Sequence, residues 1–256
     1  MNQPESILDL PEISGCYLFP QPRYVGNPFV VSVGDVELAC YHHVVDADNF
    51  TVVHFHGNGE AVADYVPDMA LDFAELGLNS LFVEYRQYGQ STGAAKLVAM
   101  LGDGQTAVEA AALPPEKVIV FGRSIGSLYA IELAHRLPSV AGLILESGIA
   151  DATERFLARA DLSSSHLTED EIAAQAKQHF DHKLKLSEYV GPLLTMHTEH
   201  DGLIDISHAE RNHRWAASRQ KRLVRFAMGD HNSILGRNRD EYFKAIGSFL
   251  KCCKTT

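Results

Sequence analysis

Val118-Ile-Val-Phe-Gly-Arg-Ser-Ile-Gly-Ser127 is the stretch on which the reading of this chain turns. Four apolar residues run into Gly122-Arg123-Ser124-Ile125-Gly126, and an apolar-periodic stretch from Leu128 to Leu137 follows. This is G-x-S-x-G between a predicted strand and a predicted helix, the setting in which a serine is held on a sharp strand-to-helix turn. Such a turn brings the chain on its two sides very close, and glycines two residues before and after remove the β-carbons that would collide. The Ser124 hydroxyl then stands over the free N–H groups of a helix N-terminus, which favour developing negative charge. The plainer reading is a glycine-rich turn with an incidental serine, so the rest of the chain must supply partners.

Outward from that stretch the chain alternates. Residues 29–33 and 36–45 read as strands joined at Gly34-Asp35, a hairpin signal. Further strands are expected at 51–55, 80–85, 117–121, 141–146, 193–197 and 223–227. Helical periodicity covers 60–76, stopping at Gly77, then 95–112, 128–137 and about 206–217 and 239–252. This alternation predicts an α/β fold: a mostly parallel central sheet of about eight strands with helices on both faces. Residues 1–28, rich in Pro and Gly, read as an irregular lead-in to one domain over 29–256. Between Glu146 and Leu193 the alternation breaks. Two helices are expected there, near 152–160 and 168–180, with Ser163-Ser164-Ser165 between them and Thr168-Glu-Asp-Glu171 as a capping box. An insertion over about 148–190 at the C-terminal edge of the sheet reads as a small helical cap. An ordinary two-helix crossover is the alternative.

Composition sets bounds. The chain has 256 residues, 46% hydrophobic and 21% charged, with a formal net charge of −11. That balance argues against a nucleic-acid partner. No run approaches the ~18 apolar residues of a spanning helix. Residues 1–11 lack the basic and apolar regions of a signal peptide, and the four cysteines form no metal or redox spacing. A soluble cytoplasmic protein is expected.

Two partners for Ser124 lie downstream. Asp201 stands in Thr198-Glu-His-Asp-Gly-Leu-Ile-Asp205 and His231 in Gly229-Asp-His-Asn-Ser233, each just past a predicted strand, where α/β sheets collect their sites. The imidazole takes the serine proton during attack, and the carboxylate fixes its tautomer. A fourth stretch, His56-Gly-Asn-Gly59, follows the strand at 51–55. An acyl-transfer oxyanion needs fixed N–H donors, worth about 3–4 kcal/mol each. The backbone N–H groups of Ile125 and Asn58 are the expected pair, with His56 bracing the loop. A plain strand-ending turn is the alternative.

These landmarks resemble the α/β-hydrolase superfamily, over about residues 29–250. They stand in family order: His56-Gly-Asn-Gly59, Tyr85-Arg-Gln-Tyr-Gly-Gln-Ser91, Gly122-Arg-Ser-Ile-Gly126, then the Asp201 and His231 segments. Within the superfamily the chain is similar to the serine hydrolases described as bem46-like or depalmitoylase-like, and to S33-peptidase-like proteins. The resemblance implies hydrolysis of a carboxylic ester or thioester, with no cofactor and a small-molecule acyl substrate. It leaves the substrate and the oligomeric state open. Gln87 replaces the usual Gly, His200 precedes Asp201 where an acid is frequent, and Ser233 stands where an acid is common.

Rival residues are visible for each role. Asp205, expected to start the next helix, and Glu146, expected to pair near the elbow, are alternative acids. His197, His208 and His213 are alternative bases, read as core or surface residues. Arg86 and Arg123 are candidates for contacting a substrate carboxylate or phosphate, with structural pairing the expected role. Asp103 is expected mid-helix, solvated or capped locally. His54 and His56 resemble half of a binuclear zinc motif, but Gly57-Asn58-Gly59-Glu60 follows where further ligands belong, so no metal is expected. A ligand-binding or scaffolding protein without turnover is the reading from a different class.

Overall fold

The computed structural model describes residues 6–160, 162 and 166–253, so Ser163-Ser164-Ser165 lies outside the described residues. Eight strands form one sheet in the order β1-β2-β4-β3-β5-β6-β7-β8. They are β1 (Phe29–Val33), β2 (Val36–His43), β3 (Thr51–Phe55), β4 (Asn79–Val83), β5 (Val118–Arg123), β6 (Gly142–Glu146), β7 (Leu193–Thr198) and β8 (Lys221–Phe226). β1 and β2 form the antiparallel hairpin expected at Gly34-Asp35, with Val33 opposite Val36, and β2 pairs antiparallel with β4. Every remaining pairing is parallel.

Strands β3 to β7 are buried along their whole length, as central parallel strands covered on both faces must be. Their alternating side chains feed two cores. Val53, Leu81, Val120 and Leu143 pack on one face with Val108 of α2 (Asp103–Ala110), Leu128 and Leu133 of α3 (Gly126–Arg136), and Phe156 of α4 (Ala152–Leu157). On the other face Val52, Phe82, Ile119 and Ile144 meet Phe73 of α1 (Asp68–Glu75) and Ile246 and Phe249 of α8 (Ile234–Cys253). The segment between β6 and β7 carries α4, α5 (Glu169–Phe180) and α6 (His182–Glu188), the last unforeseen, and Thr168 and Glu171 form the expected capping box. Helix α7 (Ser207–Trp215) precedes β8. Among the described residues no helix is long and apolar enough to cross a membrane.

Three helices differ from their predicted bounds for local reasons. The stretch 60–76 is α-helical only from Asp68, because Pro67 lacks an N–H and disfavours helix in the residue before it. The stretch 95–112 is α-helical only from Asp103: the N–H groups of Leu97 and Val98 donate instead to Ser14 Oγ and Asp9 Oδ1. Helix α8 begins five residues early and kinks at Asn238, whose amide donates to the carbonyls of Met228 and Ile234.

Those captured N–H groups show that the lead-in is built into the domain. It forms short helical turns at Ile7–Asp9 and Pro11–Gly15, and buries Leu8, Ile13, Tyr17 and Leu18. Ser14, 2% exposed, donates to Leu8 O at 2.6 Å while accepting from Leu97. Ser14→Ala leaves both backbone groups buried without partners, a loss of about 2 kcal/mol and a fall in Tm of roughly 4–8 °C, measured by thermal and urea unfolding. A variant as stable as the native chain would mean that the lead-in is only loosely attached.

Candidate active site

Strand β5 ends at Arg123 and the chain turns at once into α3. Ser124 sits in the turn with φ +52°, a left-handed conformation that a residue with a Cβ rarely adopts. The turn is held by hydrogen bonds: Ser124 N–H donates to Glu146 O at 2.9 Å, and Ser127 Oγ donates to Ser124 O at 2.6 Å. Glycine is required on both sides. A Cβ on Gly126 would fall 2.2 Å from the Phe55 carbonyl oxygen, and one on Gly122 would fall 2.6 Å from the Ala130 Cβ.

The structure brings the two downstream residues to this serine. His231 Nε2 lies 2.9 Å from Ser124 Oγ, and His231 Nδ1 lies 2.7 Å from Asp201 Oδ2. A carboxylate can only accept, so Nδ1 carries the proton and the Nε2 lone pair faces the hydroxyl. Asp201 follows β7 and is pinned in turn: its Oδ1 accepts from the N–H groups of Leu203 and Ile204 at 2.9 and 2.8 Å. Burial disfavours its charge, but the hydrogen bond from His231 and those two donors outweigh burial and hold its pKa at about 2. His197 closes the back of the pair, with Nε2 2.8 Å from Ile204 O and 3.3 Å from Asp201 Oδ2.

The loop after β3 faces the same serine. Asn58 and Ile125 both line the pocket, and their backbone N–H groups have no acceptor among the described residues. The Asn58 side chain is fully engaged elsewhere. Its Oδ1 accepts from Phe19 N–H and from the Tyr88 hydroxyl, both at 3.0 Å, and its amide donates to Tyr17 O at 2.5 Å. His56 does brace this loop, through a charged pair. Its Nδ1 lies 2.8 Å from Gly57 O and its Nε2 2.8 Å from Glu84 Oε1, both acceptors, so the ring carries two protons. Burial opposes that charge, yet the charge and hydrogen bond of Glu84 raise the His56 pKa above the ordinary value. The pair's contribution to stability is therefore full below the ~6.5 of a free imidazole and is lost as pH rises through the raised value.

Arg123, a candidate for substrate contact, is committed to structure. Its guanidinium meets Glu60 at 3.1 Å and Glu146 at 3.2 Å, and donates to His231 O at 3.0 Å. Arg86 likewise pairs with Asp103 through two hydrogen bonds of 2.8 and 2.7 Å, so Asp103 is neither mid-helix nor solvated: it is buried at the first position of α2. Glu146 accepts from Tyr242 at 2.5 Å and Asp205 from Ser207 N–H at the start of α7, and among the described residues it is Asp201 that hydrogen-bonds His231 Nδ1. His54 is packed among the rings of Tyr65, Phe82 and Phe121. Gln87, standing where a glycine is usual, adopts φ +69°, with its side-chain oxygen accepting from Ala95 N–H at 3.0 Å.

A pocket of about 160 Å³ opens on Ser124, Ile125, Asn58 and His231. Its walls include residues that the sequence reading missed: Tyr17 and Phe19 of the lead-in and Arg155 and Arg159 from α4 and its end. No local motif marks these four. They reach the site only because the lead-in is tied to Asn58 and because α4 follows β6 directly.

Comparison with known proteins agrees with this architecture. The sequence profile of the family described as "Serine aminopeptidase, S33" matches residues 47–167. Protein bem46 of Schizosaccharomyces pombe is 27% identical over 206 residues, which span 78% of this chain and 67% of that protein. The esterase Pf2001 of Pyrococcus furiosus superposes with a TM-score of 0.70 at 18% identity, over 91% of this chain and 98% of that one. Mouse alpha/beta hydrolase domain-containing protein 10 does so with a TM-score of 0.69 at 14% identity, over 88% and 99%. The eight-stranded sheet, the serine on its strand-to-helix turn and the likeness to these solved structures give this chain the α/β-hydrolase fold, with a sequence similar to that of bem46.

Proposed function

We propose that the chain is a serine hydrolase that cleaves a carboxylic ester or thioester through an acyl-enzyme. One observation carries the reading: His231 stands between Ser124 and Asp201 at 2.9 and 2.7 Å, with its acceptor nitrogen toward the serine. Ser124 Oγ attacks the acyl carbonyl while His231 Nε2 takes its proton, and Asp201 stabilises the imidazolium. The oxyanion accepts hydrogen bonds from the Ile125 and Asn58 N–H groups, at the start of α3. Collapse of the intermediate expels the alcohol or thiol with the proton from His231. Water then attacks the acyl-serine by the same path and releases the acid.

The S33 match favours a second reading, hydrolysis of a peptide from its free N-terminus. An aminopeptidase has to hold an ammonium group. The described pocket lining contains three arginines and no carboxylate, which supports an acyl ester over an amine-terminated peptide.

A fluorophosphonate probe is expected to label the native chain at Ser124, and Ser124→Ala to abolish the label while circular dichroism stays unchanged. Labelling that survives the substitution sinks the assignment of the nucleophile. The pH profile follows from the pKa of Asp201. Because that carboxylate is ionised well above about 2, the acid limb of kcat/KM belongs to the base. Protonating the base removes the acceptor for the serine proton, so kcat/KM falls about tenfold per pH unit toward acid, with no second limb above pH ~3. A profile flat to that point would exclude a histidine base. Asp201→Asn loses the acceptor that fixes the tautomer, and kcat falls by about 10³–10⁴, read under saturating substrate.

A further inference from the structure

Among the described residues, two arginines at the pocket have no acidic partner. Arg155 on α4 and Arg159 at its end line the cavity that opens on Ser124. The two described acids nearest to them in sequence are engaged elsewhere: Asp151 and Glu154 both pair with Arg211, at 3.9 and 3.1 Å. Among the described residues neither Arg155 nor Arg159 forms a salt bridge, in a chain whose net charge is −11. Arg155 Nε is enclosed and has no hydrogen-bond partner. Arg159 lies over the rings of Tyr17 and Phe19, with its central carbon 5.7 and 5.3 Å from their centroids. Stacking of this kind uses the face of the guanidinium and leaves the N–H donors in its plane available.

From this arrangement we infer that the pocket selects an anionic acyl group: an ester or thioester whose acyl part carries a second oxyanion, which Arg155 and Arg159 receive. The inference rests on the hydrolase reading of Ser124 and names the substrate class for that site. A carboxylate is the form that suits the space, since about 160 Å³ is below the ~300–1,000 Å³ of pockets for larger ligands. The substrate is then the half-ester or half-thioester of a short dicarboxylic acid. Ile149, Leu203 and Ile204 supply the apolar wall for the methylenes between the two carbonyl ends. Planar guanidinium donors match a carboxylate two at a time, and the low polarity of the wall strengthens the attraction.

Calorimetric titration of the Ser124→Ala protein separates this from turnover. Monoethyl adipate is expected to bind at least about tenfold more tightly than ethyl hexanoate, which has a methyl group in place of the free carboxylate, and the difference should shrink as salt rises. In the Ser124→Ala background, Arg155→Gln with Arg159→Gln should bring the two affinities together. Arg159→Gln alone, on a solvent-exposed residue, should reduce the gap in the same direction if the double substitution impairs folding. Equal affinities in the Ser124→Ala protein, or a gap that survives both substitutions, overturn the anion site. Fluorophosphonate labelling of the native chain is read in parallel. Loss of label with the affinity gap intact removes the hydrolase reading and leaves the anion site. Equal affinities with labelling intact remove the anion site alone.

Discussion

At Gly126 the first turn of α3 lies against the carbonyl oxygens of Phe55 and His56 with no room for a side chain. The other features of the site depend on this approach. It sets β5 and the loop after β3 at a spacing that puts Ile125 and Asn58 on one pocket. It also forces the backbone of Ser124 into a left-handed conformation, at a cost of about 1–3 kcal/mol. Parallel pairing of β3 with β5, in register from Thr51 opposite Val118, supplies the rigid frame that tolerates this strain. A serine held this way has little freedom to rotate its backbone, so the fold itself fixes its hydroxyl beside His231.

Charge ties the loops together above the sheet. Arg123, at the end of β5, joins Glu60 of the loop after β3, Glu146 at the end of β6 and the carbonyl of His231 after β8. One guanidinium therefore links the segments that carry Asn58, Ser124 and His231. The buried His56–Glu84 pair performs a similar task one strand over, since Glu84 Oε2 also accepts from Val62 N–H at 3.0 Å. Buried pairs of this kind add little net stability over well-packed apolar groups. Their effect here is positional: each carries bonds to backbone groups that no apolar side chain could hold. Arg159 differs from these in lying over the rings of Tyr17 and Phe19, where Arg123 has carboxylates.

Much of this was legible along the chain. The eight strands, the hairpin at Gly34-Asp35 and the strand-turn-helix around Ser124 follow from local patterning: apolar runs, glycine punctuation and the two-residue and 3.6-residue periods. The pairing of Ser124, His231 and Asp201 was also readable, because each stands just beyond the C-terminal end of a parallel strand, and such ends meet along one edge of the sheet. Periodicity misled where the tertiary structure claimed backbone groups. Residues 96–102 carry a helical pattern, yet the N–H groups of Leu97 and Val98 donate to Ser14 and Asp9 of the lead-in, and the α-helix begins only at Asp103. The proline at position 67 was visible in the sequence, and its effect on the start of α1 was there to be read.

What the sequence by itself determined is the order and type of the strands and the three side chains that meet at their ends, since both depend on short-range pattern and on a topology with few alternatives. What only the tertiary structure decided is what surrounds them. The packing of the lead-in through Tyr17 and Phe19, the capture of Arg123 by acids and the pairing of Asp151 and Glu154 with Arg211 depend on contacts between residues far apart in the chain. No window of sequence encodes which of several arginines finds a carboxylate, because that is settled by distances that exist only after the core has closed.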